Sequence, residues 1–152
     1  MCQKFYQGQM DDNFIVTPQM LEKSFRIGYN GLTFSGKIDG VFDGLVVDYK
    51  TGRRVVEDIS KDHQLTLYSL AYRSLTNNKE RGLCLYYVRM NKKLYTERDE
   101  DDYKVLCEKC AKFLENLAKG NFDYTSNQGQ CKWCEVSKYC LRGEGYDKKE
   151  EV

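Results

Sequence analysis

The chain has 152 residues, enough for one domain with its own hydrophobic core, while two full domains would be crowded. Apolar residues make up 41% and charged residues 31% of the sequence, with a single proline, which excludes an intrinsically disordered chain. The 24 basic and 23 acidic residues leave a net charge of +1, so overall charge gives no attraction to a polyanion, and any nucleic-acid site must be a local patch.

The first residues, MCQKFYQGQMDDNF, contain no apolar run of signal-peptide length, and no stretch approaches the length of a membrane span. We therefore expect a cytoplasmic protein without a membrane partner. Thiols stay reduced in the cytosol, so disulfide bonds are not the expected use of the seven cysteines.

The pattern from Leu21 to Lys50 predicts three consecutive antiparallel strands, at residues 21–27, 32–42 and 45–50. The dipeptides Asn30-Gly31 and Asp43-Gly44 separate these strands. Both dipeptides favour tight hairpin turns, so the three strands should form two successive hairpins.

The apolar period then changes to three and four residues, which predicts a helix within Asp62–Leu75 that ends near Asn77. Its apolar stripe consists of Leu65, Tyr68, Tyr72 and Leu75. Two more strands are predicted within residues 81–90 and 93–98. This order of elements favours an α/β fold with a mixed sheet.

A second helix is predicted from about Asp101 to Lys119, where Gly120 ends it. Its predicted apolar face consists of Tyr103, Leu106, Cys110, Phe113, Leu114 and Leu117. After Gly120 the sequence is irregular and rich in cysteine.

A two-residue turn at Asp43-Gly44 fixes the pairing of the second hairpin, because facing residue numbers then sum to 87. This register places Asp39 opposite Asp48. Alternation along the strands predicts one face with Lys37, Asp39, Val41, Val46, Asp48 and Lys50. The opposite face, expected to be the core, consists of Ile38, Phe42, Leu45, Val47 and Tyr49.

Two carboxylates facing each other across a sheet repel, so another interaction must offset the repulsion. Mg²⁺ or Mn²⁺ would do so, since such ions bind one or two carboxylates and leave positions open for phosphate oxygens. Lys50, on the same face as Asp48, could then orient a water and neutralise charge on a phosphate. This combination indicates phosphodiester hydrolysis. The alternative is a surface charge ladder, in which Asp39 and Asp48 pair with Lys37 and Lys50.

Three segments together resemble the RecB-type nucleases of the PD-(D/E)XK superfamily: GKID at residues 36–39, VVDYKTG at 46–52 and QLTLY at 64–68. The pattern of those nucleases is an aspartate after G-x-x, a D-x-K on the next strand and a Q-x-x-x-Y on the following helix. The resemblance covers roughly Leu21 to Cys140. It implies a restriction-endonuclease-like mixed sheet flanked by helices.

The same resemblance implies roles for individual residues. The implied metal ligands are Asp39, Asp48 and the main-chain carbonyl of Tyr49, and the implied catalytic residues are Asp39, Asp48, Lys50, Gln64 and Tyr68. Gln64 and Tyr68 are four residues apart, so both can lean toward the site from one helical face.

One feature departs from the family pattern. Members of this group usually begin with a long helical segment that supplies a histidine ligand, whereas about twenty residues precede the first predicted strand here. The sole histidine, His63, is expected to start a helix near the site. A protein partner, a homo-oligomer or the first twenty residues would complete the site.

The segment CKWCEVSKYC places Cys131, Cys134 and Cys140 in a C-x2-C-x5-C arrangement, which indicates a metal site. The fourth ligand has two candidate sources. Cys107 and Cys110 together with the first two of these cysteines match a zinc-ribbon spacing. Because Cys110 continues the apolar stripe of the predicted helix, we expect both helical cysteines to be packing residues instead.

The other source is Cys2, and this arrangement resembles the iron–sulfur nucleases of the RecB-type group, such as the AddB family and its CRISPR-associated relatives. In those proteins the first cysteine precedes the nuclease core and the last three follow it. The resemblance implies a [4Fe–4S] cluster on Cys2, Cys131, Cys134 and Cys140, with zinc on the same thiolates as the alternative. Such a site would hold the two ends of the chain together.

These observations predict four segments: residues 1–20 with the first cluster cysteine, a nuclease core at 21–122, a cysteine-rich metal module at 123–145 and a solvated tail at 146–152. The function they indicate is a metal-dependent DNA nuclease with a structural cluster, with single-stranded DNA or DNA ends as the substrate that the resemblance implies. The alternative is a non-catalytic nucleic-acid-binding or structural subunit on a nuclease-like fold with a zinc site.

Overall fold

The structure, a computed structural model, describes Gln3, Gln7, residues 19–121, Cys131 and residues 133–136. Its elements in chain order are β1 (Met20–Tyr29), β2 (Leu32–Phe42), β3 (Leu45–Lys50), α1 (His63–Thr76), β4 (Gly82–Tyr87), β5 (Lys92–Thr96) and α2 (Glu100–Ala118). The chain divides into two compact units, residues 1–112 and 113–152. Of the helices that the structure describes, neither is long and apolar enough to cross a membrane.

The five strands form one sheet in the order β1-β2-β3-β4-β5. Strands β3 and β4 pair in parallel and the other neighbours pair antiparallel, so the predicted mixed sheet is confirmed. Both predicted hairpin turns are present. Asn30 and Asp43 have φ of 48° and 47°, and the glycine after each has φ of 76°. Positive φ at both central residues is the requirement of the type I′ turn, whose twist matches that of the flanking strands.

Helix α1 lies over one face of the sheet and contacts β1 to β4. Its first turn is capped by Asp62, whose carboxylate accepts a hydrogen bond from the Leu65 amide at 2.8 Å. Its last turn closes on Asn77, a left-handed residue whose N–H donates to the Arg73 carbonyl at 2.9 Å. The predicted helix and its predicted end are therefore confirmed.

The C-terminal half of α1 is fixed by a buried ion pair. The Arg73 guanidinium donates to both Glu80 carboxylate oxygens, at 2.7 and 2.9 Å, and the Ser69 hydroxyl donates to the same carboxylate at 2.7 Å. Burial raises the pKa of Glu80, but the hydrogen bonds from Arg73 and Ser69 outweigh it and leave the pKa below its usual value. The Ser69 hydroxyl also lies 2.6 Å from the Tyr103 hydroxyl of α2, which links the two helices.

Apolar side chains are buried on both faces of the sheet, and this corrects the prediction of a single core face. The larger cluster, on the side of α1, contains Val41 and Val46, which the sequence pattern assigned to the opposite, charged face. A smaller cluster on the other side consists of Phe42, Val47, Cys84 and Tyr86, with Leu45 and Tyr49 packed against it.

The prediction failed because side-chain alternation breaks in the first hairpin. Ile38 and Val41 are three positions apart on β2, yet both belong to the larger cluster. The ladder between β1 and β2 lacks one pair, Glu22 with Asp39, although the register is the same on both sides of this gap. Glu22 has a φ of 46°. A left-handed residue within a strand is strained. On both strands the alternation of side chains is reversed across this step, so that residues of the opposite parity face the larger cluster.

The apolar face predicted for α2 is only partly buried. Tyr103, Leu106 and also Cys107 are buried, whereas Cys110 is half-buried. Phe113, Leu114 and Leu117 are 63%, 48% and 48% exposed. The periodicity therefore predicted the helix correctly but not its burial, because a spacing of apolar residues does not show whether every turn meets a partner surface.

The absence of a side chain at Gly36 leaves the space that the Phe25 ring occupies in the core. A Cβ at Gly36 would lie 2.9 Å from Phe25 Cζ, closer than carbon atoms pack, and the Phe25 ring in turn lies edge-on to Tyr68 at 6.4 Å between centroids. We expect Gly36→Ala to lower the free energy of unfolding by about 1–3 kcal/mol in urea denaturation, as overpacking does. Gly28→Ala is the control, because a Cβ there meets only the Leu32 carbonyl oxygen at 4.0 Å. Equal losses in the two variants would contradict this packing role.

Candidate active site

The side chains that the sequence assigns to the site meet between the sheet and α1. Asp48 and Lys50 lie at the carboxyl end of β3, Asp39 lies on the neighbouring β2, and Gln64 and Tyr68 lie one turn apart at the start of α1. Asp48 has the strand parity of Val46 and therefore faces the side of the sheet that α1 covers.

A continuous set of polar contacts joins these five side chains. Lys50 Nζ lies 2.7 Å from Asp48 Oδ2 and donates to Gln64 Oε1, also at 2.7 Å. Gln64 Nε2 donates to the Tyr68 hydroxyl at 3.0 Å, and that hydroxyl donates to Asp39 Oδ1 at 3.1 Å. The chain of contacts thus runs from one carboxylate to the other through Lys50, Gln64 and Tyr68.

Asp39 is held by main chain as well as by side chain. The Tyr49 amide donates to Asp39 Oδ2 at 3.0 Å. The β2–β3 register follows the predicted sum of 87 at three pairs but its ladder ends at Gly40–Val47, one step before Asp39 and Asp48. The Asp39 carboxylate thus supplies the acceptor for a β3 amide where the ladder has ended. This contact orients Asp39 toward the end of β3.

Asp48 is a buried carboxylate, only 1% exposed. Burial raises its pKa, the Lys50 ammonium partly offsets this, and the negative charges of Asp39 and Asp62 raise the pKa further. The Lys50 ammonium contacts Oδ2 at 2.7 Å, and among the described residues no second donor reaches this oxygen. An ionised carboxylate has about four lone-pair sites, so Asp48 keeps acceptor capacity for a further cation.

Tyr68 keeps its proton. Burial raises the pKa of its hydroxyl to about 12, and the nearby Asp39 and Asp48 carboxylates disfavour the phenolate further. At neutral pH the hydroxyl therefore remains a donor to Asp39, and its oxygen accepts from Gln64. Tyr68 is accordingly a positioning group for Asp39 and Gln64.

The comparison with protein families agrees with this geometry. The model of the PD-(D/E)XK nuclease superfamily matches residues 3–141. The chain belongs to this superfamily. Members of the superfamily are generally metal-dependent nucleases, so membership indicates a nucleic-acid substrate. A search of curated proteins gives no match to the chain.

The donor set of this PD-(D/E)XK site fits a hard divalent cation. Asp48 is a buried carboxylate whose Oδ2 is contacted by Lys50 and by no second donor among the described residues, and Asp39 offers a second carboxylate. Among the described residues no group of three or more His, Cys, Asp and Glu side chains is close enough to hold a metal. Mg²⁺ needs no such group, since it commonly binds one or two carboxylates and keeps several waters. The Tyr49 carbonyl stays a predicted ligand.

Arg98 was missed in the sequence, although it fixes the helix that carries Gln64. Its buried guanidinium donates to the carbonyls of Ile59 and Asp62 at 2.8 and 3.2 Å, and its Nε donates to the Thr66 hydroxyl at 2.8 Å. The remaining nitrogen donates to residues 96 and 97, so all three guanidinium nitrogens are engaged. An arginine among charged residues carries no sequence signal for such burial, because its acceptors at Ile59, Asp62 and Thr66 are 32 to 39 residues away in the sequence.

The histidine prediction is confirmed as far as position is concerned. His63 is the first residue of α1, and its Nε2 lies 2.9 Å from Lys109 Nζ. His63 thus contacts the side chain of Lys109 on α2. This position is the one expected from the sequence, at the start of a helix and next to Gln64.

Two of the four predicted cluster ligands lie outside the described residues. Cys2 and Cys140 are outside the described residues, whereas Cys131 is half-buried and Cys134 exposed, both as free thiols. The cluster therefore stays a prediction. Cys107 is buried in α2, and burial raises the pKa of its thiol, so it favours the neutral form of a packing residue.

Asp48→Asn should separate stability from function. Because folding raises the pKa of Asp48, the stability gained from its protonated form is complete below the unfolded pKa and is lost as pH rises through the folded pKa. The asparagine variant carries no charge at this position. In chelator-containing buffer we therefore expect its Tm to exceed that of the native chain at pH 7, by an amount that grows as pH rises from the unfolded to the folded pKa of Asp48 and is constant above the folded pKa.

Asp101→Asn is the control, because the pKa of Asp101 is shifted in the direction opposite to that of Asp48. Lys104 lowers the pKa of this exposed carboxyl, so its removal should not raise the Tm at pH 7. A lower Tm for Asp48→Asn at pH 7, or the same difference at pH 7 as below the unfolded pKa of Asp48, would contradict the burial cost assigned to Asp48.

Proposed function

We propose that this chain is a metal-dependent deoxyribonuclease that hydrolyses phosphodiester bonds of single-stranded DNA or DNA ends. The observation that supports the proposal best is the buried Asp48 carboxylate, which contacts the Lys50 ammonium at 2.7 Å in a network that also includes Asp39. A structural ion pair does not explain why Gln64 and Tyr68 connect the two carboxylates.

The residues proposed to hold Mg²⁺ or Mn²⁺ are Asp39, Asp48 and the carbonyl of Tyr49. When bound, such an ion supplies Lewis-acid charge to the phosphate and lowers the pKa of water. Two carboxylates give the site the negative charge that a divalent cation requires, and burial of Asp48 strengthens that attraction. Tyr68 and the Tyr49 amide hold Asp39 in one orientation before a cation arrives.

Lys50 is the proposed catalytic cation. Asp48 and Gln64 hold its ammonium at 2.7 Å each, and its side chain is 34% exposed, so it can reach solvent and substrate. There it would orient the attacking water and stabilise the negative charge that develops on the phosphate. In the net reaction water adds to phosphorus, the bond to one ester oxygen breaks, and that oxygen leaves with a proton as a hydroxyl.

The finer assignments rest on the resemblance to RecB-type nucleases. The choice of DNA, and of single strands or ends, comes from that group. The same resemblance and the C-x2-C-x5-C spacing support a [4Fe–4S] cluster on Cys2, Cys131, Cys134 and Cys140, with zinc as the alternative. The cluster is proposed as a structural group.

A second candidate function is that of a nucleic-acid-binding subunit. Such a subunit would be non-catalytic, or its active site would be completed by a protein partner. It is favoured by one observation: among the described residues only two acidic side chains meet at the site, without the histidine typical of the group. Cleavage by the purified chain distinguishes the candidates, because a subunit that lacks part of its site would bind DNA without cutting it.

Lys50→Met should abolish most of the cleavage of labelled single-stranded DNA in Mn²⁺, by about 10²-fold or more, the usual loss for one group that stabilises transition-state charge. Lys37→Met is the matched control, since Lys37 lies on β2 with an exposed ion pair to Glu22 at 3.8 Å. Mn²⁺ should raise the Tm of the native chain and of Lys50→Met but not of Asp48→Asn. Equal cleavage by native chain and Lys50→Met would overturn the catalytic role.

The cluster can be tested by colour. We expect protein purified without oxygen to be brown, with absorbance near ~400 nm from thiolate-ligated iron. Cys134→Ser should lose the absorbance, whereas Cys84→Ser, at a buried cysteine of β4, should keep it. A colourless protein with stoichiometric zinc would replace the cluster with the zinc alternative.

A further inference from the structure

We propose that Arg53 and Arg54 form a phosphate-binding pair that holds the nucleic-acid strand next to the site at the end of β3. This inference rests on the proposed function and adds to it the residues that bind the substrate backbone. It concerns a charged surface that neither the superfamily match nor the motif residues assign.

The two arginines are adjacent exposed cations without a carboxylate. Neither has an ion pair or a hydrogen bond within the described part of the chain. Many other exposed cations have an acidic partner: Lys37 with Glu22, Lys79 with Glu97, Arg81 with Asp43, Lys92 with Glu57 and Lys104 with Asp101. Two uncompensated guanidinium groups in sequence give a local positive field on a chain with a net charge of only +1.

Their position is fixed relative to the site. Arg53 follows Lys50, the last residue of β3, by three positions, so their Cα atoms are within about 10 Å of each other. β3 runs parallel to β4, and the Val88 amide donates to the Lys50 carbonyl at 3.0 Å. The segment therefore begins at the carboxyl end of the parallel pair β3 and β4, directly after Asp48 and Lys50.

The segment of residues 51–54 is also anchored at its C-terminal end. Val55, directly after Arg54, packs against the larger apolar cluster, and the Val56 amide donates to the Tyr87 hydroxyl at 3.0 Å. Ile59 is buried in that cluster and its carbonyl accepts from Arg98. The exposed residues 51–54 therefore lie between two anchored points, and less backbone freedom is lost when they bind a ligand.

The chemistry of the pair selects the ligand. A guanidinium group donates two parallel hydrogen bonds to a phosphate and stays charged at every physiological pH. Contacts to phosphate set the position of a strand without reading its bases. We infer that the pair binds a nucleic-acid strand independently of sequence and directs one of its phosphodiesters to Lys50 and the two aspartates.

The test measures binding separately from cleavage. In the Asp48→Asn background, fluorescence anisotropy of a labelled single-stranded DNA is recorded over a range of salt concentrations. Replacing both arginines with alanine should weaken binding about tenfold and reduce the slope of log K against log salt by about 1.4, the value for two lost phosphate contacts on a single strand. RNA of the same sequence is titrated in parallel and should show the same change in slope.

Lys23→Ala/Arg26→Ala is the matched control, because these exposed cations have no ion pair within residues 19–121 and lie on β1, at the far edge of the sheet. It should leave affinity and slope unchanged. Titration of the native chain in EDTA repeats the test without the Asp48 substitution. Unchanged binding after loss of both arginines, an equal loss in the control, or no binding of either nucleic acid would overturn the proposal.

The outcome is distinguishable from failure of the proposed function. A native chain that binds DNA through the arginines but cuts nothing in Mn²⁺ would refute the nuclease and retain the binding pair. A native chain that cuts DNA, with the same KM in the double arginine variant, would refute the binding pair and retain the nuclease. If the pair binds substrate, its loss raises KM more than it lowers kcat.

Discussion

The Asp48 carboxylate is a negative charge placed where water does not reach it, and much of the surrounding structure follows from this constraint. Its nearest cation, Lys50, must remain close, and Lys50 is held there by the Gln64 side-chain oxygen. Gln64 in turn depends on Tyr68, which also holds Asp39. One unfavourable burial is therefore connected to four other side chains, and a site that binds a cation gains from the same burial that costs stability.

Helix α1 is the element through which that network is kept in place. At its N-terminus Asp62 caps the first turn and Arg98 holds the preceding loop to it. In its C-terminal half, Arg73 is paired with the buried Glu80. These two polar attachments restrict both sliding and rotation of the helix on the sheet, so that Gln64 and Tyr68 keep their distance from β3. Buried polar groups that are fully hydrogen-bonded are well suited to specify one such arrangement.

Local chemistry made much of this fold predictable. Asn30-Gly31 and Asp43-Gly44 specify turns by backbone conformation alone, and the spacing of Gln64 and Tyr68 is a property of one helix. The features that could not be predicted depend on distant residues or on strain. The left-handed Glu22 gives no signal in the sequence, yet it decides which face of the hairpin is inside. The acceptors of Arg98 come from three separate segments, and the exposure of Phe113 depends on neighbours that periodicity does not reveal.

The change of inward side at Glu22 and Asp39 also bears on how this hairpin can vary among related chains. Because the pairing has one register before and after the step, exchange of an exposed side chain on these strands leaves Asp39 in its place. A single inserted or deleted residue would instead rotate the rest of the strand by one position and turn the carboxylate away from Tyr68. Related sequences should therefore keep the number of residues between Leu21 and Val41 constant, while exposed positions such as Lys23, Arg26 and Ser35 can differ.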